Sequence, residues 1–208
     1  MPRAALSDAE ISAFRDRICE AASHLFATQG YDAVTLRSIA AEVGCSAMTP
    51  YRYFEGKDEI FALVRAAAFR RFAEQQEAAI AHIKSPERKL RALGIAYVEF
   101  ALDEPDAYRL MFELHQDSAS DHPELLEEGM RAWLPMRNAV AESIDAGVLE
   151  GDPDTVAHVF WAAVHGLVSL ELAGKLNLGR DLASLVAPMQ ETMFTGNSPR
   201  SGSKEKKK

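Results

Sequence analysis

Hydrophobic residues recur along the chain at intervals of three and four positions, and no stretch alternates convincingly between apolar and polar residues. The first pattern indicates α-helices, and the second would indicate β-strands. We therefore predict an all-α fold of about nine helices. The first predicted helix ends at Gly30, and its apolar stripe consists of Ile11, Phe14, Ile18, Ala22, Leu25 and Phe26.

Two short helices joined by a tight turn follow this first helix. The earlier one begins after Thr35, and the later one is predicted over Met48 to Phe54. Gly44-Cys45-Ser46 forms the turn between them. Two short helices with a glycine at the bend are typical of a helix-turn-helix, whose second helix enters the major groove of DNA. The apolar positions of the earlier helix lie on one face: Leu36, Ile39, Ala40 and Val43.

The surface of the later helix favours DNA binding over a plain helical corner of an all-α protein. Its segment, SAMTPYRYF from Ser46 to Phe54, has polar and aromatic residues where a core helix would have aliphatic ones. Small residues at its start permit a close approach to bases, and the Thr, Tyr and Arg side chains can donate hydrogen bonds to phosphates and base edges. The alternative is an all-α enzyme or metal-binding protein that retains such a corner.

One long helix and five further helices complete the predicted fold. The long helix starts near Lys57, runs to about Lys84, and ends before the helix-breaking pair Ser85-Pro86. Four of the later helices begin with a proline, which is tolerated in a first turn because its missing N–H would have no partner there. These helices are predicted at Pro86–Asp103, Pro105–Gln116, Pro123–Ala146, Pro153–Lys175 and Arg180–Phe194.

Charge is distributed unevenly along the chain, whose formal net charge is −8. Residues 1–57 carry a net charge of −1, residues 58–195 carry −11, and residues 196–208 carry +4. The first segment is the least acidic folded part, but it is not basic. Any DNA contact must therefore come from a few placed groups and not from a basic patch.

A resemblance to a known family is carried by the segment VTLRSIAAEVGCSAMTPYRYFEGKDEIFALV. It resembles the DNA-binding domain of the TetR (tetracycline repressor) family of transcriptional regulators, over roughly Ala21 to Val64. The matching features are FATQGYDAVT, the turn VGCS, the YRYF segment and the Gly-Lys-Asp-Glu start of the long helix. Trp161, His165 and Gly166 also resemble a Trp-x-x-x-His-Gly segment in the penultimate helix of one TetR subgroup.

The resemblance implies a set of DNA contacts. Thr35 would touch a phosphate with Arg37 nearby, and Lys57 would meet a phosphate at the N-terminus of the long helix. The residues from Ser46 to Thr49 would face the groove, and the two tyrosines that follow would bind phosphate oxygens or base edges. Arg52 is the best candidate for a guanine contact, with a phosphate contact as its alternative. The implied DNA-binding residues are Thr35, Arg37, Ser46, Ala47, Met48, Thr49, Tyr51, Arg52, Tyr53 and Lys57.

Pro50 departs from the family pattern, which usually has an aliphatic residue at this position. If Ser46 is the N-cap, Pro50 is the fourth helical residue and one hydrogen bond to the Ser46 carbonyl group is lost. The helix can instead begin late, with Thr49 as N-cap and Pro50 as the first helical residue. Either start shifts the residues that face the bases.

The resemblance also implies a second domain that senses a small apolar or amphipathic ligand. Its cavity would be lined by aromatic, methionine and histidine side chains of the later helices, with Trp161 as an apolar wall and His165 as a hydrogen-bonding group. The implied ligand-binding residues are Tyr97, Phe100, Met111, Phe112, His115, Trp133, Met136, Trp161 and His165.

The chain is predicted to assemble as a homodimer through residues 153–195. The stretch from Val156 to Ala173 is apolar on nearly every face, and such a helix must be buried on every face. Two histidines and a glutamate within it argue against a membrane span, and the N-terminus lacks the apolar run of a signal peptide. We therefore expect a cytoplasmic protein that does not bind membranes.

No catalytic or cofactor motif is present, and we expect neither an enzyme nor a cofactor nor a bound metal. The predicted function is a DNA-binding transcriptional regulator, most often a repressor in the family, released from an inverted-repeat operator by a ligand. The predicted domains are a helix-turn-helix DNA-binding domain at 1–57, a connecting helix at 58–85, a ligand-sensing and dimerisation domain at 86–195, and a disordered basic tail at 196–208.

Overall fold

The computed structural model describes residues 7–112 and 122–199, and its regular secondary structure there is entirely helical. The predicted all-α fold is confirmed, and most predicted helix ends differ from the observed ones by only a few residues. The predicted end at Gln116 lies outside the described residues. The described helices are α1 Asp8–Gln29, α2 Leu36–Val43, a 3-10 helix Pro50–Arg52, α3 Lys57–Ile80, α4 Pro86–Asp103, α5 Pro105–Phe112, α6 Pro123–Asp145, α7 Pro153–Leu172 and α8 Leu182–Gly196.

Local capping interactions determine where α2 begins and ends. The Thr35 hydroxyl group accepts a hydrogen bond from the Ser38 N–H, while the Ser38 side chain accepts one from the Thr35 N–H. This reciprocal capping box satisfies two donors that would otherwise have no partner. At the other end Gly44 adopts a left-handed conformation with φ of 75°, which other residues rarely adopt, and the turn of the helix-turn-helix follows.

The predicted recognition helix over Met48 to Phe54 is wrong in its length and type. The structure has a 3-10 helix of three residues, and it shows the later of the two predicted starts, with Thr49 as N-cap and Pro50 first. Pro50 has no N–H to donate, so the α-helical hydrogen bond from residue 50 to the Ser46 carbonyl group is missing. Two hydrogen bonds here span only three residues: the Thr49 N–H donates to the Ser46 carbonyl group, at 2.8 Å, and the Arg52 N–H to the Thr49 carbonyl group, at 3.1 Å.

The described residues of 1–73 and 104–132 form one compact unit. Within it α1 packs on α2 and on α5. Leu110 of α5 is 1% exposed and belongs to the same core as the helix-turn-helix. Helix α5 is therefore a structural part of this unit. The core consists of Ile18, Ala22, Leu25, Phe26, Val34, Leu36, Ile39, Phe54, Ile60, Phe61, Val64 and Leu110.

A buried arginine joins α3 to the C-terminal end of α5 in this unit. Arg65 is 4% exposed, and its guanidinium group donates to the carbonyl groups of Leu110, at 3.0 Å, and Met111, at 3.4 Å. Burial lowers the pKa of Arg65 to about 10, so the group remains charged at neutral pH. Arg71 holds the other end of α5 through an exposed ion pair with Glu104, at 2.8 Å.

The described residues of 74–103 and 133–208 form the second compact unit. Within it α4 packs on α7 and α8, and α7 packs on α8. Arg91 of α4 binds α8 at two levels: its carbonyl group accepts from Gln190, at 2.9 Å, and its guanidinium group pairs with Glu191, at 3.1 Å. Of the predicted tail, residues 196–199 complete and cap α8, and residues 200–208 lie outside the described part of the chain.

The prominent feature of α7 is how little of it is buried. Among the described helices it is the one that is long and apolar enough to cross a membrane by length and composition, a criterion that core helices of soluble proteins also meet. Only 28% of its most apolar stretch is buried within the chain. Val159 and Leu170 are 43% and 47% exposed.

We predict that Arg65→Ala lowers the free energy of unfolding by about 3 kcal/mol, because it leaves a cavity and two buried carbonyl groups without their donor. Arg71→Ala is the matched control, and its side chain is 48% exposed. Loss of an exposed ion pair costs about 0–1 kcal/mol. Urea unfolding followed by circular dichroism measures both changes, and equal losses would contradict the proposed role of Arg65 in stability.

Candidate functional site

The helix-turn-helix presents most of its predicted DNA-binding side chains to solvent. Met48 and Tyr51 are among the most exposed large apolar side chains of the described residues, at 68% and 56%. Three of the ten predicted side chains, Thr49, Tyr53 and Lys57, are half-buried. The exposed ones are Thr35, Arg37, Ser46, Ala47, Met48, Tyr51 and Arg52.

The 3-10 helix places these side chains outward because its other residues are anchored in the core. Pro50 is buried, and Phe54, at 4% exposure, belongs to the core of the first unit. With these two residues held inside, Tyr51 and Arg52 between them face solvent. Pro50 thus orients the recognition surface as well as shortening the helix.

Arg15 of α1 secures the end of this segment, and the sequence analysis did not identify it. Its guanidinium group donates to the Tyr53 carbonyl group and pairs with Glu59 of α3, at 2.9 Å. The same group lies 4.3 Å from the centre of the Phe54 ring. The sequence signal is only a cation beside the apolar stripe of α1, which is too common to distinguish.

Tyr53 differs from Tyr51 in its surroundings. The Tyr53 ring packs against the core of the first unit, 5.0 Å from the ring of Phe14. No hydrogen bond among the described residues engages its hydroxyl group. Its predicted contact with a phosphate oxygen or a base edge would use that group, while the ring contributes to stability.

Lys57 lies at the first position of α3 and is already engaged within the unit. Its ammonium group donates to the Tyr31 carbonyl group, at 2.9 Å, and lies 3.9 Å from the centre of the Tyr31 ring. An ammonium group has three N–H donors, and the carbonyl contact uses one. The predicted phosphate contact thus requires the remaining donors of a lysine whose position is fixed.

Arg37 and Arg52 are the cations best placed to meet an outside partner. Within residues 7–112 and 122–199 no hydrogen bond or ion pair engages either guanidinium group. Arg52 lies 6.0 Å from the centre of the Tyr53 ring, at the outer limit of a cation–π contact. Both groups can form the bidentate bonds that phosphates and guanine bases accept.

A second cluster of predicted residues lies inside the second unit. The Tyr97 hydroxyl group accepts a hydrogen bond from the Trp161 Nε1–H, at 3.3 Å, and lies 3.0 Å from His165 Nδ1. The Trp133 ring lies 6.0 Å from the Trp161 ring. Ser169 contacts His165 on its other nitrogen, at 3.4 Å. The cluster combines apolar walls with a few hydrogen-bonding groups, as small-molecule sites do.

The other predicted ligand-binding residues are distributed differently. Phe100 and Met136 are buried in the second unit, at 1% and 5% exposure. Met111 and Phe112 belong to the first unit, where the Phe112 ring lies 5.7 Å from that of Phe69. His115 lies outside the described residues. Across the described ranges, no group of three or more His, Cys, Asp or Glu residues could hold a metal ion.

Two family models match the chain. Residues 18–64 match the family described as "Bacterial regulatory proteins, tetR family", which covers the helix-turn-helix. Residues 90–193 match the family described as "Tetracyclin repressor-like, C-terminal domain". A search of curated proteins gives no match.

Solved structures with the same fold cover almost the whole chain. A protein of unknown function from Rhodococcus sp. RHA1 has a TM-score of 0.77 and 24% identity, over 96% of this chain and 100% of that one. A TetR family transcription regulator from Marinobacter aquaeolei VT8 has a TM-score of 0.73 and 20% identity, over 93% of this chain and 100% of that one. The fatty acid degradation regulator FadR from Bacillus halodurans has a TM-score of 0.71 and 20% identity, over 87% of this chain and 98% of that one.

The two tyrosines of the YRYF segment are expected to separate stability from DNA binding. Tyr53→Ala should lower the free energy of unfolding by about 2 kcal/mol, because a packed ring is lost. Tyr51→Ala should change it by less than about 0.5 kcal/mol, because the side chain is exposed, but should weaken DNA binding. Urea unfolding and fluorescence anisotropy on a bound duplex measure the two effects. Similar stability losses would contradict the different environments of the two rings.

Proposed function

We propose, from the premise that the chain belongs to the TetR family of bacterial regulatory proteins, that it represses transcription as a homodimer and is released from DNA by a small ligand. That it is a DNA-binding transcriptional regulator follows from the family itself. The observation that carries the proposal is the exposed surface of Met48, Tyr51 and Arg52 on a helix-turn-helix whose inner residues are fixed in the core. The family points to a regulator and not to an enzyme.

Few charged groups would make the proposed DNA contacts. The first 57 residues carry a net charge of −1, so affinity has to come from placed groups. Thr35, Lys57 and the tyrosine hydroxyl groups would bind phosphates, and residues 46–49 would face the groove. We assign base readout to Arg52, because its exposed guanidinium group follows directly on the recognition turn.

The proposed dimer interface lies on α7 and α8, within residues 153–195. The outer face of α7 carries Val159 and Leu170, both more than 40% exposed, with Gly166 between them, where a second helix could approach closely. On α8 the apolar residues Leu185 and Met189 are half-buried. Two copies of this helix pair would form a four-helix bundle about a two-fold axis, with the same patch used on each subunit.

The proposed ligand site includes the Tyr97, Trp161 and His165 cluster and accepts a small apolar or amphipathic molecule. Trp133 and Trp161 would supply flat apolar contacts. A ligand that prefers one of two conformations shifts the population away from the DNA-binding form. In this scheme residues 1–57 bind DNA, residues 58–85 connect, and residues 86–195 sense the ligand and dimerise, in the cytoplasm.

Selection of bound sequences from random DNA duplexes tests the function directly. We expect an inverted repeat whose half-sites are centred about 34–36 Å apart, one turn of the double helix, because each subunit places one recognition segment in a major groove. The same selection with the Arg52→Ala variant tests base readout by Arg52. The sequences it selects should lose their base preference at one position of each half-site. If no sequence is enriched, or if only a single half-site is enriched, the proposed dimeric operator is contradicted.

Sedimentation at micromolar concentration tests the proposed interface. Leu170→Arg should convert the dimer to a monomer of 22.9 kDa, because it places a charge in a buried apolar surface. Leu102→Arg is the matched control, since Leu102 is 48% exposed on α4, outside the proposed interface, and should leave the dimer intact. A dimeric Leu170→Arg protein would exclude this face of α7 from the interface.

A further inference from the structure

Among the described residues of the second unit, the buried polar side chains have hydrogen-bond partners with one exception. The Ser143 hydroxyl group donates to the Ala139 carbonyl group, at 2.7 Å. The Gln190 side-chain amide donates to the Arg91 carbonyl group, at 2.9 Å. The Tyr97 hydroxyl group has the partners described above. The exception is Gln76 of α3, whose Oε1 is enclosed and has no hydrogen-bond donor among the described residues.

Gln76 lies on α3 next to the residue that contacts α4 beside Tyr97. Its neighbour Gln75 donates to the Ala96 carbonyl group of α4, at 3.5 Å, and Tyr97 follows Ala96 directly. Gln76 and Tyr97 therefore flank the same α3–α4 contact. Both side chains are buried, at 2% and 1% exposure.

A buried carbonyl oxygen without a donor destabilises a protein, and such exceptions in native structures call for a specific explanation. A leucine at position 76 would fill a similar volume without leaving a polar atom unpaired. The presence of an amide here favours a role in binding, in which a bound molecule supplies the missing donor. This interpretation rests on the proposed ligand-sensing function.

We propose that Gln76 is the polar recognition residue of the ligand site, and that the ligand is a neutral apolar molecule that donates a hydrogen bond from a hydroxyl or N–H group. A carboxylate has no proton to donate at neutral pH. The charge of the surroundings points the same way: the buried charged side chains among the described residues, Arg65 and Glu128, both belong to the first unit. Among the described residues, the second unit therefore has no buried lysine or arginine to pair with an anionic ligand.

The unliganded protein offers the first test. Gln76→Leu should raise the melting temperature by about 2–4 °C, because it removes an unpaired buried polar atom. Gln190→Leu is the matched control in the same unit and should lower the melting temperature, because the Arg91 carbonyl group loses its donor. If Gln76→Leu is as destabilising as Gln190→Leu, the amide is a structural group and the proposal fails.

The second test compares three small aromatic probes by equilibrium dialysis, two of which, indole and benzofuran, have the same shape. Indole has an N–H donor, benzofuran has none, and benzoate is an anion. The wild-type protein should bind indole about tenfold more tightly than benzofuran, and benzoate most weakly, whereas Gln76→Leu should bind indole and benzofuran equally.

Three results would overturn the proposal: equal binding of indole and benzofuran by the wild type, preference for benzoate, or binding of none of the three probes. Operator binding by the same preparations separates this failure from failure of the proposed function. If the wild type and Gln76→Leu both bind the selected inverted repeat, the DNA-binding function stands and only the ligand assignment is lost.

Discussion

The buried guanidinium group of Arg65 joins α3 to α5 within the first unit. Its acceptors are main-chain carbonyl groups at the end of α5, and a charged group at 4% exposure is tolerated only while such partners hold it. Leu110, at the same end of α5, is packed in the helix-turn-helix core. If α3 and α5 shifted independently, the Arg65 guanidinium group would lose its buried acceptors. The DNA-facing surface is thus built on a platform that includes α5.

Periodicity and proline placement predicted the helices well because each of these signals is local. An apolar stripe, a capping residue or a first-turn proline acts within one or two turns of the chain. The recognition segment is where local reasoning was least certain, since Pro50 allowed two starts. The structure has the later start, because burial of Pro50 and Phe54 leaves room for only one turn between them.

The residues that sequence analysis missed are those whose role depends on distant partners. Arg15, Arg65 and Gln76 lie among ordinary helical residues, and nothing next to them in sequence reveals a buried carbonyl group or an absent donor. The same limit applies to Tyr53 and Lys57, for which the resemblance indicated phosphate contacts. Their contacts with Phe14 and Tyr31 arise from the packing of α1 and its following loop, and these contacts give both residues a structural role as well.

The apolar sequence of α7 indicates that the helix is buried, but it does not identify which elements or subunits cover each face. One side of the helix contributes Trp161 and His165 to the cluster around Tyr97, inside the second unit. The other side, with Val159 and Leu170, remains exposed within a single chain. Because a helix moves as a body, a molecule that shifted the α7 backbone at Trp161 or His165 would also displace the outer face. The proposed ligand site and the proposed subunit interface therefore share one rigid element, and a change at one is mechanically a change at the other.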